Sequence, residues 1–274
     1  MEQFRFGVIT DIQYADRAAN IGRYYRNSII KAKHCIDAIN AIQPDFCMHL
    51  GDLIDWPGQP EKGRQALDTI MPVMQSFHGP MYYLIGNHDR DSVPVDELAA
   101  LWDMPQGQTW YSFDHKGVHF IALDSNFDEH GRPYQPGDGQ WDNCYVSEQQ
   151  LDWLKSDLAQ CLTDVVFVMV HALLDDLDDP HVIKNASVVR SILENSGKQI
   201  VVLQGHMHCG RESKKNGICY HTMRSIVNGR ARRCFWIVEV DKVRIFVHRY
   251  DSRRNHGQPT QKTLMKLQEA SCCR

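Results

Sequence analysis

Short apolar runs alternate with stretches of helical periodicity through the first third of the chain. Residues 6–10 are an apolar run that stops at Asp11 and read as a buried strand. Across residues 23–42 apolar side chains recur at Ile29, Ile30, Ala32, Cys35, Ile36, Ile39 and Ile42, which is helical spacing, and Pro44 ends the element. Residues 46–50 form the next strand. Residues 61–77 form the next helix, with Leu67, Ile70, Met71 and Met74 inward, and residues 81–85 a third strand. This alternation predicts right-handed βαβ units and a largely parallel sheet. Ligands of such sheets gather beyond the carboxyl ends of the strands.

The middle of the chain changes rhythm. Residues 110–114 and 118–124 read as a hairpin around His115-Lys116-Gly117. Residues 125–144, rich in Gly, Pro, Asp and aromatics, read as a long loop of the kind that usually carries function. Ser147-Glu148-Gln149-Gln150 is a capping-box signature for a helix through Leu151 and Leu154. Strands follow at 165–170 and 200–203, separated by a helix over 184–195 that Gly197 stops. The last third adds strands at 218–223, 235–240 and 243–250, the final two as a hairpin around Asp241-Lys242. The expected architecture is α/β: one domain over residues 1–274, a two-sheet β-sandwich flanked by helices. The first sheet is expected to be mixed and mainly parallel, the second mainly antiparallel.

Composition narrows the classes. A net charge of −4 over 274 residues argues against an electrostatic nucleic-acid binder; the cluster Arg230, Arg232 and Arg233 reads as a solvated turn. Nine cysteines occur with no CxxC pair, which argues against a zinc ribbon or thioredoxin-like motif. Cys47 reads as a small core residue, Cys209 as a pocket-lining or buried thiol, and Cys272 and Cys273 as part of a frayed tail. With no apolar stretch long enough to span a bilayer and no signal peptide, a cytoplasmic protein with reduced thiols and no membrane partner is expected.

Five strand ends carry potential metal ligands: Asp11 with Gln13, Asp52 with Asp55, Asn87-His88-Asp89, His171, and His206 with His208. Any one of them is commonplace; together they gather carboxylate, amide and imidazole groups on one rim. Burying that many polar groups without a cation would leave costly unpaired atoms. Oxygen and nitrogen donors without cysteine suit Mn, Fe, Co or Zn, and the imidazoles argue against a dedicated Ca²⁺ or Mg²⁺ site. Seven donors exceed the roughly four of a structural zinc site, so two metals sharing one carboxylate fit better, and Asp52 is the natural bridge.

The ordered blocks D-x-Q, GDxxD, GNHD, H and GHxH, spread over residues 11–208, resemble the calcineurin-like metallophosphoesterase superfamily. The resemblance implies one metal held by Asp11, Gln13, Asp52 and His208 and a second by Asp52, Asn87, His171 and His206. It implies a water activated between them, and His88 beside the phosphate as general acid or transition-state donor. Most of the superfamily has His where this chain has Gln13. The Asp-x-Gln variant is similar to the manganese-dependent ADP-ribose/CDP-alcohol diphosphatases, as are residues 6–16 (Phe-Gly-Val-Ile-Thr-Asp-Ile-Gln-Tyr-Ala-Asp), 23–28 (Arg-Tyr-Tyr-Arg-Asn-Ser) and 147–154. The segments between Asp16 and Arg23 and after Asp124 are shorter than in that subgroup.

The resemblance therefore implies an enzyme, a Mn²⁺-dependent diphosphatase acting on a small, nucleotide-linked phosphorylated substrate. A phosphodiesterase or phosphomonoesterase and a metal-dependent scaffold without turnover are the alternatives. Arg23 and Arg26 are open to a phosphate or a solvated-face role, and Tyr24 and Tyr25 to packing or substrate contact. Trp141, Tyr134 and Tyr145 are open to base stacking or loop packing.

Overall fold

A computed structural model describes residues 2–175, 178–252 and 259–267, which leaves Cys272 and Cys273 outside the described residues. Its first sheet contains β1 (Phe4–Ile9), β2 (Phe46–His49) and β3 (Met81–Tyr83) as parallel neighbours. Its second contains β4 (Tyr111–His115), β5 (Val118–Leu123), β6 (Val165–Val170), β7 (Gln199–Gln204), β8 (Arg211–Lys215) and β9 (Ile218–Thr222). The order there is β4-β5-β6-β7-β9-β8, with antiparallel strands only at the two edges. β10 (Cys234–Val240), β11 (Arg244–Asp251) and β12 (Thr260–Lys266) return to the first sheet and extend it antiparallel from β1.

Both sheets are therefore mixed. The expected division into a mainly parallel and a mainly antiparallel sheet is corrected: the late hairpin pairs with β1, and β9 runs parallel to β7. β8 and β12 carry charged and polar residues along both faces, so neither shows the alternation that marks a strand in sequence.

The sheets pack face to face through Phe6, Phe46 and Met48 of the first and Phe120, Phe167 and Leu203 of the second. Phe6 and Phe46 stack at 5.1 Å between ring centroids, and Phe120 meets Phe6 edge-on at 5.4 Å. Burial of each such ring contributes about 1.5–3 kcal/mol. Helices α1 (Tyr25–Ile42) and α2 (Pro60–Met74) cover the first sheet from outside. Two short helices, α3 (Asn87–Ser92) and α4 (Val95–Leu101), follow β3. Helices α5 (Glu148–Gln160) and α6 (Ala186–Glu194) cover the second sheet. β6 is buried on both faces, which is why its sequence is an unbroken apolar run.

Ser147 caps α5, its side chain accepting from the Gln150 backbone N–H, but the reciprocal half of the expected capping box does not form, because the Gln150 side chain bonds the Asp124 backbone instead. In α1 the pattern misleads at one turn: Ile30 is 58 % exposed, while Lys31 is buried. Among the described residues no helix is long and apolar enough to cross a membrane, and the seven described cysteines form no disulfide. Cys47 is in the core, whereas Cys209 is exposed, which removes the buried reading of that thiol.

Candidate metal centre

The parallel strands of both sheets deliver their carboxyl-end loops to one rim, where the loops interlock through glycine. A Cβ on Gly86 would lie 2.1 Å from Asp52 Oδ1, and one on Gly51 2.7 Å from both Gly86 N and His171 Nδ1. A Cβ on Gly205 would lie 2.5 Å from Thr10 Oγ1 and 2.9 Å from Asp11 Oδ2. The glycines before Asp52, Asn87 and His206 are thus required by close approach. The backbone is also forced: Asp11, Gln13, Asp52 and His206 have φ of 51°, 44°, 61° and 63°. Positive φ costs a non-glycine residue of order 1–3 kcal/mol and clusters where function over-determines geometry.

The side chains form two groups that share one carboxylate. Asp52, His171 and His206 present ligand-type atoms within 4.8 Å of one another, and so do Asp11, Asp52 and His208. Asn87 begins α3 beside them. Asp11 Oδ1, Asn87 Oδ1, Gln13 Oε1 and His171 Nε2 are buried without a hydrogen-bond partner. Each such atom costs about 1–3 kcal/mol unless something pairs with it, and cations bound between oxygen and nitrogen donors would pair with those of Asp11, Asn87 and His171.

The three histidines are set up alike. His171 Nδ1 lies 2.8 Å from Leu50 O, His206 Nε2 3.0 Å from Trp141 O, and His208 Nδ1 2.8 Å from Asn228 Oδ1. A carbonyl oxygen only accepts, so each of these nitrogens carries the proton. The lone pair is left on His171 Nε2, His206 Nδ1 and His208 Nε2, and such outer partners orient metal-binding imidazoles. Electrostatics point the same way. Burial disfavours an imidazolium at His171, but the Asp52 and Asp11 carboxylates outweigh it and push the pKa up to about 10. The group thus attracts positive charge strongly, and a divalent ion competes for the same lone pair.

Gln13 donates Nε2 to Asp52 Oδ2 at 2.8 Å, and that nitrogen lies 3.3 Å from His208 Nε2. Exchanging the amide nitrogen and oxygen, which is a matter of assignment, turns an acceptor toward the first group. His88 stands apart from both groups. Its Nδ1 pairs with Asp55 Oδ1 at 3.2 Å, its Nε2 is 4.0 Å from Asp52 Oδ2, and Arg23 Nη1 approaches that nitrogen to 3.5 Å. Burial lowers its pKa, but the Asp52 and Asp55 carboxylates outweigh it and raise it to about 9.

A family model for calcineurin-like phosphoesterases matches residues 4–210, most of the chain and all five loops that carry the candidate ligands. The chain belongs to the calcineurin-like phosphoesterase family. It is 30 % identical over 133 residues to a manganese-dependent ADP-ribose/CDP-alcohol diphosphatase from Arabidopsis thaliana, covering 46 % of this chain and 43 % of that protein. It is 28 % identical over 204 residues to the serine/threonine-protein phosphatase CPPED1 of Bos taurus, covering 69 % and 62 %. The matched stretch spans less than two thirds of either relative's length. In fold it is similar to a dimetal phosphatase from Danio rerio, with a TM-score of 0.80 at 21 % identity, covering 96 % of this chain and 99 % of that one.

Around this calcineurin-like rim, Asp89 and Asp55, named in the sequence among the potential ligands, have structural partners instead, and Asn228 and His181 escaped sequence reasoning. Asp89 accepts four backbone N–H groups, from Asp52, Leu53, Ile54 and Gly86, at 2.8–3.1 Å, and so ties the second loop to the third. Asp55 receives Arg17 at 2.6 Å as well as His88. Asn228 and the Trp141 carbonyl orient histidines from segments with no motif. His181 stands 4.9 Å from His206, ring to ring, and is held by Asp179 at 2.7 Å. The D of the GNHD block and the second D of GDxxD were visible signals; the others lie in loops whose spacing says nothing.

The remaining candidates separate cleanly. Arg23 lies at the site, while Arg26 makes an exposed ion pair with Asp16. Tyr25 is buried under Arg17, 3.8 Å above its ring. Tyr134 is buried and donates to Asn143 O, which assigns it to loop packing, whereas Trp141 is 42 % exposed beside His181 and His206. Of the basic turn, Arg232 pairs with Asp251, and Arg230 and Arg233 are exposed.

Proposed function

We propose that this chain is a metal-dependent hydrolase that cleaves a phosphoanhydride or phosphodiester bond in a small, nucleotide-linked substrate. In this reading Asp11, Asp52, His208 and Gln13 hold one divalent ion, and Asp52, Asn87, His171 and His206 hold a second. The observation that carries it is the pair of ligand groups sharing Asp52, with buried lone pairs on Asp11, Asn87 and His171 that no protein group uses. The donor set suits manganese, and the diphosphatase relatives are named as manganese-dependent.

When bound, a pair of divalent ions activates a water nucleophile and offsets charge on the phosphoryl oxygens. The chain's own groups do the rest. Asp52 fixes the spacing of the two halves. His88, held on Nδ1 by Asp55, keeps Nε2 directed into the space between Asp52 and Arg23, where it donates to an oxygen of the scissile group. A donor placed where negative charge develops stabilises the transition state more than the ground state. Arg23 adds a guanidinium to the same space, and the exposed Trp141 ring forms the wall on the His206 side.

The test is hydrolysis of a panel in added Mn²⁺: ADP-ribose, CDP-choline, 2′,3′-cyclic nucleotides and p-nitrophenyl phosphate esters. Turnover of the first two above the aryl esters supports the diphosphatase reading. Preference for the monoester arm would favour a phosphomonoesterase, a reading that the longer alignment with the Bos taurus phosphatase supports. No turnover of any member by Mn²⁺-loaded protein would leave the scaffold.

A further inference from the structure

We propose that Lys31 is a positioning residue for the first metal, acting through Asn228 and His208. This rests on the reading that Asp11, Asp52 and His208 hold that ion. Lys31 lies on the inward face of α1, in line with the buried Ser28 and Cys35, and is only 3 % exposed, where a lysine is rarely found. Burying an ammonium costs several kcal/mol unless polar groups take up its charge. Here its Nζ donates to Val227 O at 2.9 Å and to Gly229 O at 3.0 Å, the carbonyls on either side of Asn228.

The residue between those two carbonyls has a specific task. Asn228 Oδ1 receives the proton of His208 Nδ1 at 2.8 Å and so leaves the Nε2 lone pair facing Asp11 Oδ1, 3.3 Å away. Residues 225–229 belong to no named helix or strand; Asn228 forms an isolated bridge with Arg23, Ile226 N donates to Thr10 O at 3.3 Å, and further separate bonds tie the segment down. Val227 N donates to Asp11 O at 2.9 Å, Ser225 N to His208 O at 3.2 Å, and Gly229 N to Gly22 O at 2.9 Å. An amide oxygen on such a loop is set reliably only if its flanking carbonyls are fixed: Val227 O accepts from Tyr24 N at 3.0 Å as well as from Lys31 Nζ, and the Lys31 Nζ bond to Gly229 O holds the other side. The segment thus joins α1 to a ligand histidine over a sequence separation no motif spans. Loss of an outer partner of a metal ligand typically weakens binding about 10–100-fold.

The experiment titrates Mn²⁺ into metal-stripped, full-length protein and follows the free-ion electron paramagnetic resonance signal, with urea unfolding alongside. His208→Ala must first remove one of two sites; if both remain, the reading of the first metal fails, independently of Lys31. Lys31→Met is then expected to weaken one site about 10–100-fold and leave the other unchanged. Asn228→Ala should weaken the same site equally, and the double variant should be no worse than either single. Lys31→Gln, which keeps one donor without the charge, should lose less and serves if Lys31→Met does not fold. Wild-type affinity at both sites in either Lys31 variant, equal weakening of both sites, or additive losses in the double variant would overturn the proposal.

Discussion

Two aspartates lie in the loops that follow strands on the same rim, and they could hardly be placed more differently. Asp124, after β5, has every lone pair engaged: Oδ2 accepts from Arg90 at 2.7 Å and Thr109 at 2.5 Å, and Oδ1 from the Asn126 backbone and side chain at 2.9 and 2.7 Å. Gln150 closes the network by bonding both the N–H and the C=O of Asp124. Asp52, after the β2 strand, sits among groups that are not closed: Asp11, Asn87 and His171 each retain a buried lone pair within the same cluster. Both regions are buried and both are charged. The difference lies in the carboxylates and the atoms gathered around them: all four lone pairs of Asp124 are used, although Arg90 Nε and Asn126 Oδ1 beside it have no partner, whereas around Asp52 the unpartnered atoms are ligand-type oxygens and nitrogens that converge.

The largest break in that comparison is Asp52→Asn. Removing the shared charge should abolish both Mn²⁺ sites and hydrolysis of any panel substrate. It should also abolish the rise in unfolding temperature that Mn²⁺ gives the wild type by binding the folded state. One surviving site would show that the two halves do not depend on Asp52 alike.

His88→Ala should retain both ions and lower kcat about 10²–10⁴-fold. The loss should be smaller for p-nitrophenyl esters, whose leaving group needs no proton. Loss of metal would place His88 among the ligands, and a uniform loss on all substrates would leave it as a donor to a phosphoryl oxygen.

Asp124→Ala sharpens the contrast from the other side. It leaves the Arg90 guanidinium buried and unpaired, so urea unfolding should show a loss of about 3–5 kcal/mol that added Mn²⁺ does not restore in full. A change under 1 kcal/mol would show that the network is not what secures the loop.

A third kind of buried charge gives the smallest effect. His119 is clamped between Asp114 and Asp157, each at 2.8 Å. Burial opposes its charge, but the two carboxylates outweigh burial and raise its pKa to about 9. Because the folded value lies above the unfolded one of about 6.5, the clamp stabilises fully below pH 6.5 and loses its effect as pH rises through 9. With Asp114 largely exposed, the contribution is about 1 kcal/mol. Stability of the wild type should fall by that amount between pH 6 and pH 10 relative to His119→Gln; parallel profiles would remove the clamp from the account.

Much of this was legible from residue types alone. The parallel strands announced themselves because burial on both faces demands unbroken apolar runs such as residues 165–170, and their polar ends followed directly. Ligand candidates were legible because metals need particular donor atoms. Satisfaction was not, because it depends on partners far away in sequence: Asp124 with Arg90, His208 with Asn228, His206 with the carbonyl of Trp141. Nor was the sheet partnership of β10, since apolar alternation marks a strand without saying which edge it joins. Lys31 went unnoticed because a lysine on a helix ordinarily signals solvent.

The interlocked glycines have a consequence for how this rim can change by mutation. A substitution at Gln13 or Asn87 exchanges one donor atom for another and can be graded. A methyl group at Gly86 meets Asp52 Oδ1 at 2.1 Å and Asp52 N at 2.3 Å, so even the smallest side chain must displace the neighbouring loop. In a saturation library scored for hydrolysis, Gly51, Gly86 and Gly205 should therefore tolerate nothing although they take no part in the chemistry. Single-step drift can then retune the donors, while the three loops can move only together.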